Sequence, residues 1–166
     1  ITVSGADRNA EIDLFLIPHP ERAMLAQESG QRMEQTNEAV RAGLKAILAG
    51  QLLRARPDTL RIGLAHMNIS GARMDNDQPG VGYEVELAES DIPELGLDLL
   101  CLGHIHQPQE LADGRAVFAG SPMFHAFGGK GTRGFYLHTV APGYLYSRFV
   151  ETPYRHFVEI DLVLRN

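Results

Sequence analysis

Three short runs decide most of what this chain can fold into. "IDLFLI" (Ile12–Ile17), "LRIGLA" (Leu60–Ala65) and "LDLLCLG" (Leu97–Gly103) are apolar for most of their length. Strands with one face in water alternate polar and apolar residues, whereas near-continuous apolar runs fit strands covered on both faces. Between the first two runs the pattern changes period. From Glu21 to Ala49, the residues Ala39, Val40, Leu44, Ile47 and Leu48 recur at three- and four-residue spacing, which predicts one amphipathic helix. Gly50 stands where such a helix would stop. The combination of buried strands and a helix predicts an α/β layered domain with a mixed sheet.

The remaining segments read as edges and hairpins. "ITVSG" is a short strand, "MDNDQPGVG" a turn-rich loop, and "YEVELAESDIPE" alternates like an exposed strand before a short turn. Asp113-Gly114 separates two extended segments, a strong hairpin signal. "RGFYLHTV", "GYLYSRFVE" and "RHFVEIDLVL" alternate with period two, and Pro142-Gly143 turns the first into the second. At 166 residues the chain has the length of one ordinary domain.

Composition narrows the function. No run approaches the roughly 18 apolar residues of a membrane span, so no membrane role is expected. The net charge of −6 argues against a protein that coats nucleic acid by bulk electrostatics, though a local grip through a metal stays open. The single cysteine, Cys101, lies inside an apolar run and reads as a small buried hydrophobe. A chain without disulfides fits a reducing compartment, and a cytoplasmic location is expected. The first residue is Ile rather than Met.

In α/β sheets the chemistry gathers in loops beyond the carboxyl ends of strands. Two such ends carry histidine. His66 follows "LRIGLA", and His104 and His106 follow "LDLLCLG". In extended backbone, side chains two residues apart point to the same face about 7 Å from one another. That spacing suits two metal ions, one imidazole facing each, better than chelation of one ion. Imidazole is a common ligand for divalent transition metals, and Gly103 lets the backbone fold tightly around such a site. An H-x-H alone is weak evidence, because paired surface histidines are common; His66 in a matching position strengthens the metal reading.

With these residues in place a resemblance becomes visible. "GHIHQPQ", then "VFAGSP", then "FGGKGTRGFYLHTV" resembles the calcineurin-like metallophosphoesterases, and within them the SbcD type of DNA repair nuclease subunit. Upstream, "LIPHPER", the helix from about Asn37 to Ala49, and "GLAHMNISGA" stand where that family has "PYP", a helix and a lone His. The similarity runs from about Glu11 to the end of the chain, and "TPYRHFVEIDL" is similar to the strand leading out of the family's catalytic domain.

The resemblance implies a fold, a chemistry and partners. The implied fold is the C-terminal half of a four-layer αββα sandwich with mixed sheets and late antiparallel hairpins. Residues 1–152 would belong to the nuclease domain and 153–166 to a strand leading toward a capping region. The implied reaction is phosphodiester hydrolysis with two divalent metal ions, Mn2+ first, with Fe, Zn or Mg as alternatives. Carried over by motif, His66 and His104 would bind one metal and His106 the other. The family's D-x-H, G-D-x-x-D and G-N-H-[DE] motifs, with the catalytic His, do not occur within these 166 residues. The chain alone is therefore expected to lack a bridging carboxylate and to be inactive by itself. DNA, an SMC-like ATPase subunit of the SbcC type and a second copy of the protein are the implied partners.

Other candidates carry competing readings. His125, near "AGSP", is a phosphate contact or simply a loop histidine. Lys130 and Arg133 sit in "GGKGTRG" and either touch a DNA phosphate or form a solvated hairpin tip. Gly129 stands where the family has Glu. Asp75 and Asp77 resemble a fragment of a calcium loop but lack its downstream Gly and Glu, which makes them a solvated turn. His19, His138 and His156 need no more than packing or surface roles, and Arg41, Lys45, Arg54 and Arg56 read as a polar helix face and its exit. Two other functions stay open: a small-molecule phosphoesterase of the same fold, and a non-catalytic binding module.

Overall fold

The computed structural model describes residues 2–4, 11–17, 19, 33–56, 58–74, 86–125, 131–141, 144–158, 160 and 162. In chain order the described elements are β1 (Thr2–Ser4), β2 (Glu11–Ile17), helix α1 (Met33–Leu52), β3 (Leu60–His66), β4 (Asn68–Ser70) and β5 (Glu86–Ala88). A 3-10 helix (Glu89–Leu95) follows, then β6 (Leu99–Gly103), β7 (Gln109–Leu111), β8 (Ala116–Phe118), β9 (Gly134–Ala141) and β10 (Tyr144–Glu151).

The three apolar runs become adjacent parallel strands. β2, β3, β6 and β8 pair in parallel, with β1 and β7 added antiparallel at the two edges, giving the order β1-β2-β3-β6-β8-β7. The protein is thus mixed α/β with a mixed sheet. Asp113-Gly114 turns β7 into β8 as the sequence indicates, with Ala112, Asp113 and Gly114 all at positive φ. β9 and β10 form a separate antiparallel hairpin, and β4 and β5 a short parallel pair.

Each face of the large sheet has its own cover. On one face Phe15, Ile17, Ala65, Leu100, Leu102 and Phe118 pack with Leu48 of α1, and Leu44 and Leu52 flank it. Residues 44, 48 and 52 are four apart, so they lie in one row along the helix. On the other face Ile62, Leu99 and Val117 pack under Tyr136 and Leu145 of the β9–β10 hairpin. That cover stops short of the strand ends: Leu16 and Leu64, paired across β2 and β3, are both exposed.

Several expectations change. The helix runs through Gly50 to Leu52, because Leu52 still has core to touch and a Cβ at Gly50 would meet nothing. Ile47 and Ala39 fall off its buried row and are exposed. The supposed exposed strand at "YEVELAESDIPE" is, in its described part, a three-residue strand and a 3-10 helix. Its Leu87, Ile92 and Leu95 are buried, so it is core rather than edge. None of the described residues in 152–162 belongs to a strand, unlike the expectation for "RHFVEIDLVL". The helical pattern of 21–32, the loop with Asp75 and Asp77, and the Pro142-Gly143 turn lie outside the described residues. No described helix is long and apolar enough to cross a membrane.

Candidate functional site

Parallel pairing brings three histidines into a row. β2 ends at Ile17, which is paired with Ala65, and His66 is paired with Gly103. His19, His66 and His104 therefore follow or close three neighbouring strands whose carboxyl ends are level. The rings meet: the His66 and His104 centroids are 5.3 Å apart, His19 and His66 5.9 Å, and His19 and His104 6.3 Å. His66 and His104 were expected together. His19, assigned only a packing or surface role by its sequence, is the third member. The signal that finds it is the same one that found His66, a histidine directly beyond an apolar strand.

The backbone around this row is specialised. The positive φ falls not on Gly103 but on His104, at +96°. Side-chain residues rarely adopt that conformation, and where they do the strain clusters at functional sites. Gly103 has a different use. A Cβ there would lie 2.9 Å from Nδ1 of His66, so the missing side chain is the room that the imidazole occupies. His19 Nδ1 lies 2.8 Å from the His66 carbonyl oxygen. A carbonyl only accepts, so Nδ1 of His19 is the donor in this contact.

His106 belongs to other surroundings. Its ring centroid is 5.3 Å from that of His125, and both side chains are exposed. Its carbonyl accepts hydrogen bonds from Nη1 of Arg133 and from the backbone N–H of Ser121, the latter at 3.1 Å. Gly120, at φ +73°, packs so closely that a Cβ would stand 2.8 Å from that same carbonyl and from Pro108. Gln109 is buried and grips the backbone of residue 73: its Oε1 accepts from the Arg73 N–H at 2.9 Å and its Nε2 donates to the Arg73 carbonyl at 2.8 Å. The glycine of "AGSP" and the last Gln of "GHIHQPQ" are thus structural parts of one loop joint.

Arg133 requires the largest revision. Expected on a glycine loop within reach of phosphate or at a solvated tip, it is fully buried. Its guanidinium sits 4.4 Å from the centroid of Phe124, whose ring also contacts Tyr154 and Phe157. The Thr152 N–H donates to the Arg133 carbonyl at 3.0 Å, and the Thr152 hydroxyl donates to the Pro122 carbonyl at 2.6 Å. Arg133 is thereby the inner pin of a clasp joining the His106 loop, the 119–125 loop and the residues after β10. Lys130 lies outside the described residues.

Cys101 is also anchored rather than reactive. Its Sγ is 3.8 Å from Nε2 of His138, whose Nδ1 is 2.9 Å from the Ser147 hydroxyl. Burial pushes the thiol pKa up to about 11, so it stays protonated near neutrality and is a poor nucleophile. The basic residues of α1 and its exit make structural pairs. Lys45 binds Asp91 and Glu94 of the 3-10 helix, and Arg56 binds Glu11 and Asp13 of β2.

Among the described residues, no group of three or more His, Cys, Asp or Glu side chains is placed to hold a metal ion. The donor type of the row is nevertheless one that transition metals take, since imidazole nitrogen is a common ligand of such ions. Two acceptors close in sequence to His66 and His106, Oδ1 of Asn68 and Oε1 of Gln107, are buried with no hydrogen-bond partner. No protein-family model matches the chain, and no curated protein matches it.

Proposed function

We propose that this chain carries the histidine part of a two-metal phosphoesterase centre, most closely of the SbcD nuclease type. The observation that carries the reading is the pair of strand ends where the His66 and His104 ring centroids stand 5.3 Å apart, with the His106 ring 5.3 Å from that of His125. One H-x-H motif thus serves two neighbourhoods, as a dinuclear site needs. His66 and His104 would hold one divalent ion and His106 the other, with Mn2+ the first choice by family resemblance. Bound metals supply a water of lowered pKa and offset phosphate charge. The chain's own contribution is orientation: Gly103 admits the His66 ring, and Arg133 and Ser121 fix the His106 carbonyl.

The substrate proposed is duplex DNA in a complex with an SMC-like ATPase, in the cytoplasm. A small phosphodiester is the second reading. It is favoured by the net charge of −6 and by the burial of Arg133, which withdraws one cation expected to meet DNA. The test uses the full-length gene product in which this chain occurs, assayed with Mn2+ on duplex DNA ends and on a chromogenic phosphodiester. Replacing His66, His104 or His106 by Ala is expected to lower turnover at least about 100-fold. Unchanged turnover in all three variants overturns the reading, and a preference for the chromogenic diester selects the second substrate class.

A further inference from the structure

The segment leaving β10 is thinly held. Phe157, Val158, Ile160 and Leu162 are exposed, and none of the described residues from 152 to 162 belongs to a strand. Segments with little buried apolar surface open at low free-energy cost. What this segment does touch is the joint beneath His106 and His125. We propose that it is a positioning element for that pair: through Phe124 and Arg133 it sets where the two rings stand, so that displacing the segment is felt at His106. The inference rests on the reading of His106 as a metal ligand and adds a control over that ligand's position.

The contacts form one unbroken chain. Tyr154 sets its ring edge against Phe124, with centroids 5.1 Å apart at an interplanar angle of 84°, and Phe157 meets the same ring at 6.4 Å. The Arg133 guanidinium lies 4.4 Å from the centroid of that ring, and its Nη1 donates to the His106 carbonyl. One buried cation therefore joins the ring to the main chain of His106. Phe124 is also the immediate neighbour of His125, whose ring stands 5.3 Å from that of His106. Thr152 ties the joint from the other side. Its hydroxyl donates to the Pro122 carbonyl at 2.6 Å, and its N–H donates to the Arg133 carbonyl at 3.0 Å. Packed side chains and hydrogen bonds in contiguous series carry coupling between distant positions. The placement of His66 and His104 has another origin, the pairing of β3 with β6, and supplies an internal control.

The test reads the two histidine pairs separately by proton NMR of the 166-residue chain, then the Mn2+ requirement of the full-length gene product. Tyr154→Ala is expected to weaken the His106–His125 ring contact and to leave the His66–His104 contact intact. Tyr154→Phe keeps the ring and gives up only the hydrogen bond to Glu151, so it should behave as the unsubstituted chain. Thr152→Val removes the hydroxyl donor at nearly constant volume and should act in the same direction as Tyr154→Ala. Should Tyr154→Ala fail to fold, Thr152→Val decides. In the full-length protein, Tyr154→Ala is expected to raise the Mn2+ concentration for half-maximal turnover about threefold or more, with little change at saturating Mn2+. Unchanged His106–His125 contact in both variants overturns the inference, and so does equal weakening of both histidine pairs, which marks general loosening. If His106→Ala abolishes turnover while Tyr154→Ala leaves the Mn2+ requirement unchanged, only the inference falls. If His106→Ala has no effect on turnover, the ligand reading falls and the inference with it.

Discussion

His104 and His106 stand two residues apart, yet they are held by opposite means. His104 lies in a row set by strand pairing, with neighbours donated by β2 and β3 and a backbone angle that its residue type disfavours. His106 has an exposed ring, and its main chain is clasped from three directions by Arg133, Ser121 and Gly120. The row is a product of sheet geometry with some local strain. The clasp is a product of close packing around one carbonyl. A motif of five residues, "GHIHQ", therefore joins a half placed by strand pairing to a half placed by a clasped loop, and the two should respond differently to substitution.

The largest effect is expected at the clasp. Arg133→Ala removes a fully buried side chain, one donor to the His106 carbonyl and the cation over Phe124. Destabilisation of about 3 kcal/mol is expected in urea denaturation. Arg133→Met, which keeps the volume, should recover part of it. If Arg133→Ala costs nothing, the clasp is not what holds His106.

The row should show a smaller, local response. Gly103→Ala places a methyl group 2.9 Å from Nδ1 of His66. A loss of about 1 kcal/mol is expected, together with loss of the His66–His104 contact in proton NMR. The His106–His125 contact should be unchanged, and a shift of both pairs would break the distinction between the two halves. His104→Gly should act in the other direction. It relieves the positive φ and is expected to stabilise the fold by about 1 kcal/mol, against no gain for His104→Ala. A protein made more stable by deleting a site residue is the signature of strain held for function.

The smallest effect concerns the hairpin that begins just after Arg133. Burial lowers the pKa of His138 below its ordinary 6.5, while Glu110 opposes the shift. The unfolded chain therefore binds this proton more readily than the folded one. His138 contributes stability that is fully present above pH 6.5 and declines as pH falls below it. The thermal midpoint should drop between pH 7 and 5 with a slope that His138→Gln reduces. An unchanged slope in the variant shows that β9 is not joined to β6 through Cys101 and His138.

Much of the frame was legible in the residues. Continuous apolar runs named the buried strands, because burial on both faces removes polar alternation. Asp113-Gly114 named its hairpin, because positive φ favours those residues. His66, His104 and His106 were legible as strand-end histidines. The spacing argument assumed extended backbone, from which His104 departs at φ +96°, and no local pattern marks His19 and His125 as their ring neighbours. Where the helix ended was misjudged at Gly50, since the core contact of Leu52 outweighs a weak local stop signal.

The sequence by itself determined the strands, the helix row and the chemical identity of the imidazoles, since those depend on local periodicity and residue type. Only the tertiary structure decided that His19 joins His66 and His104, because strand order and register are set by pairing between segments tens of residues apart. Only it decided that Arg133 is buried. A glycine-rich neighbourhood reads as an exposed loop, while the actual position follows from the Phe124 ring and the His106 carbonyl that close over it.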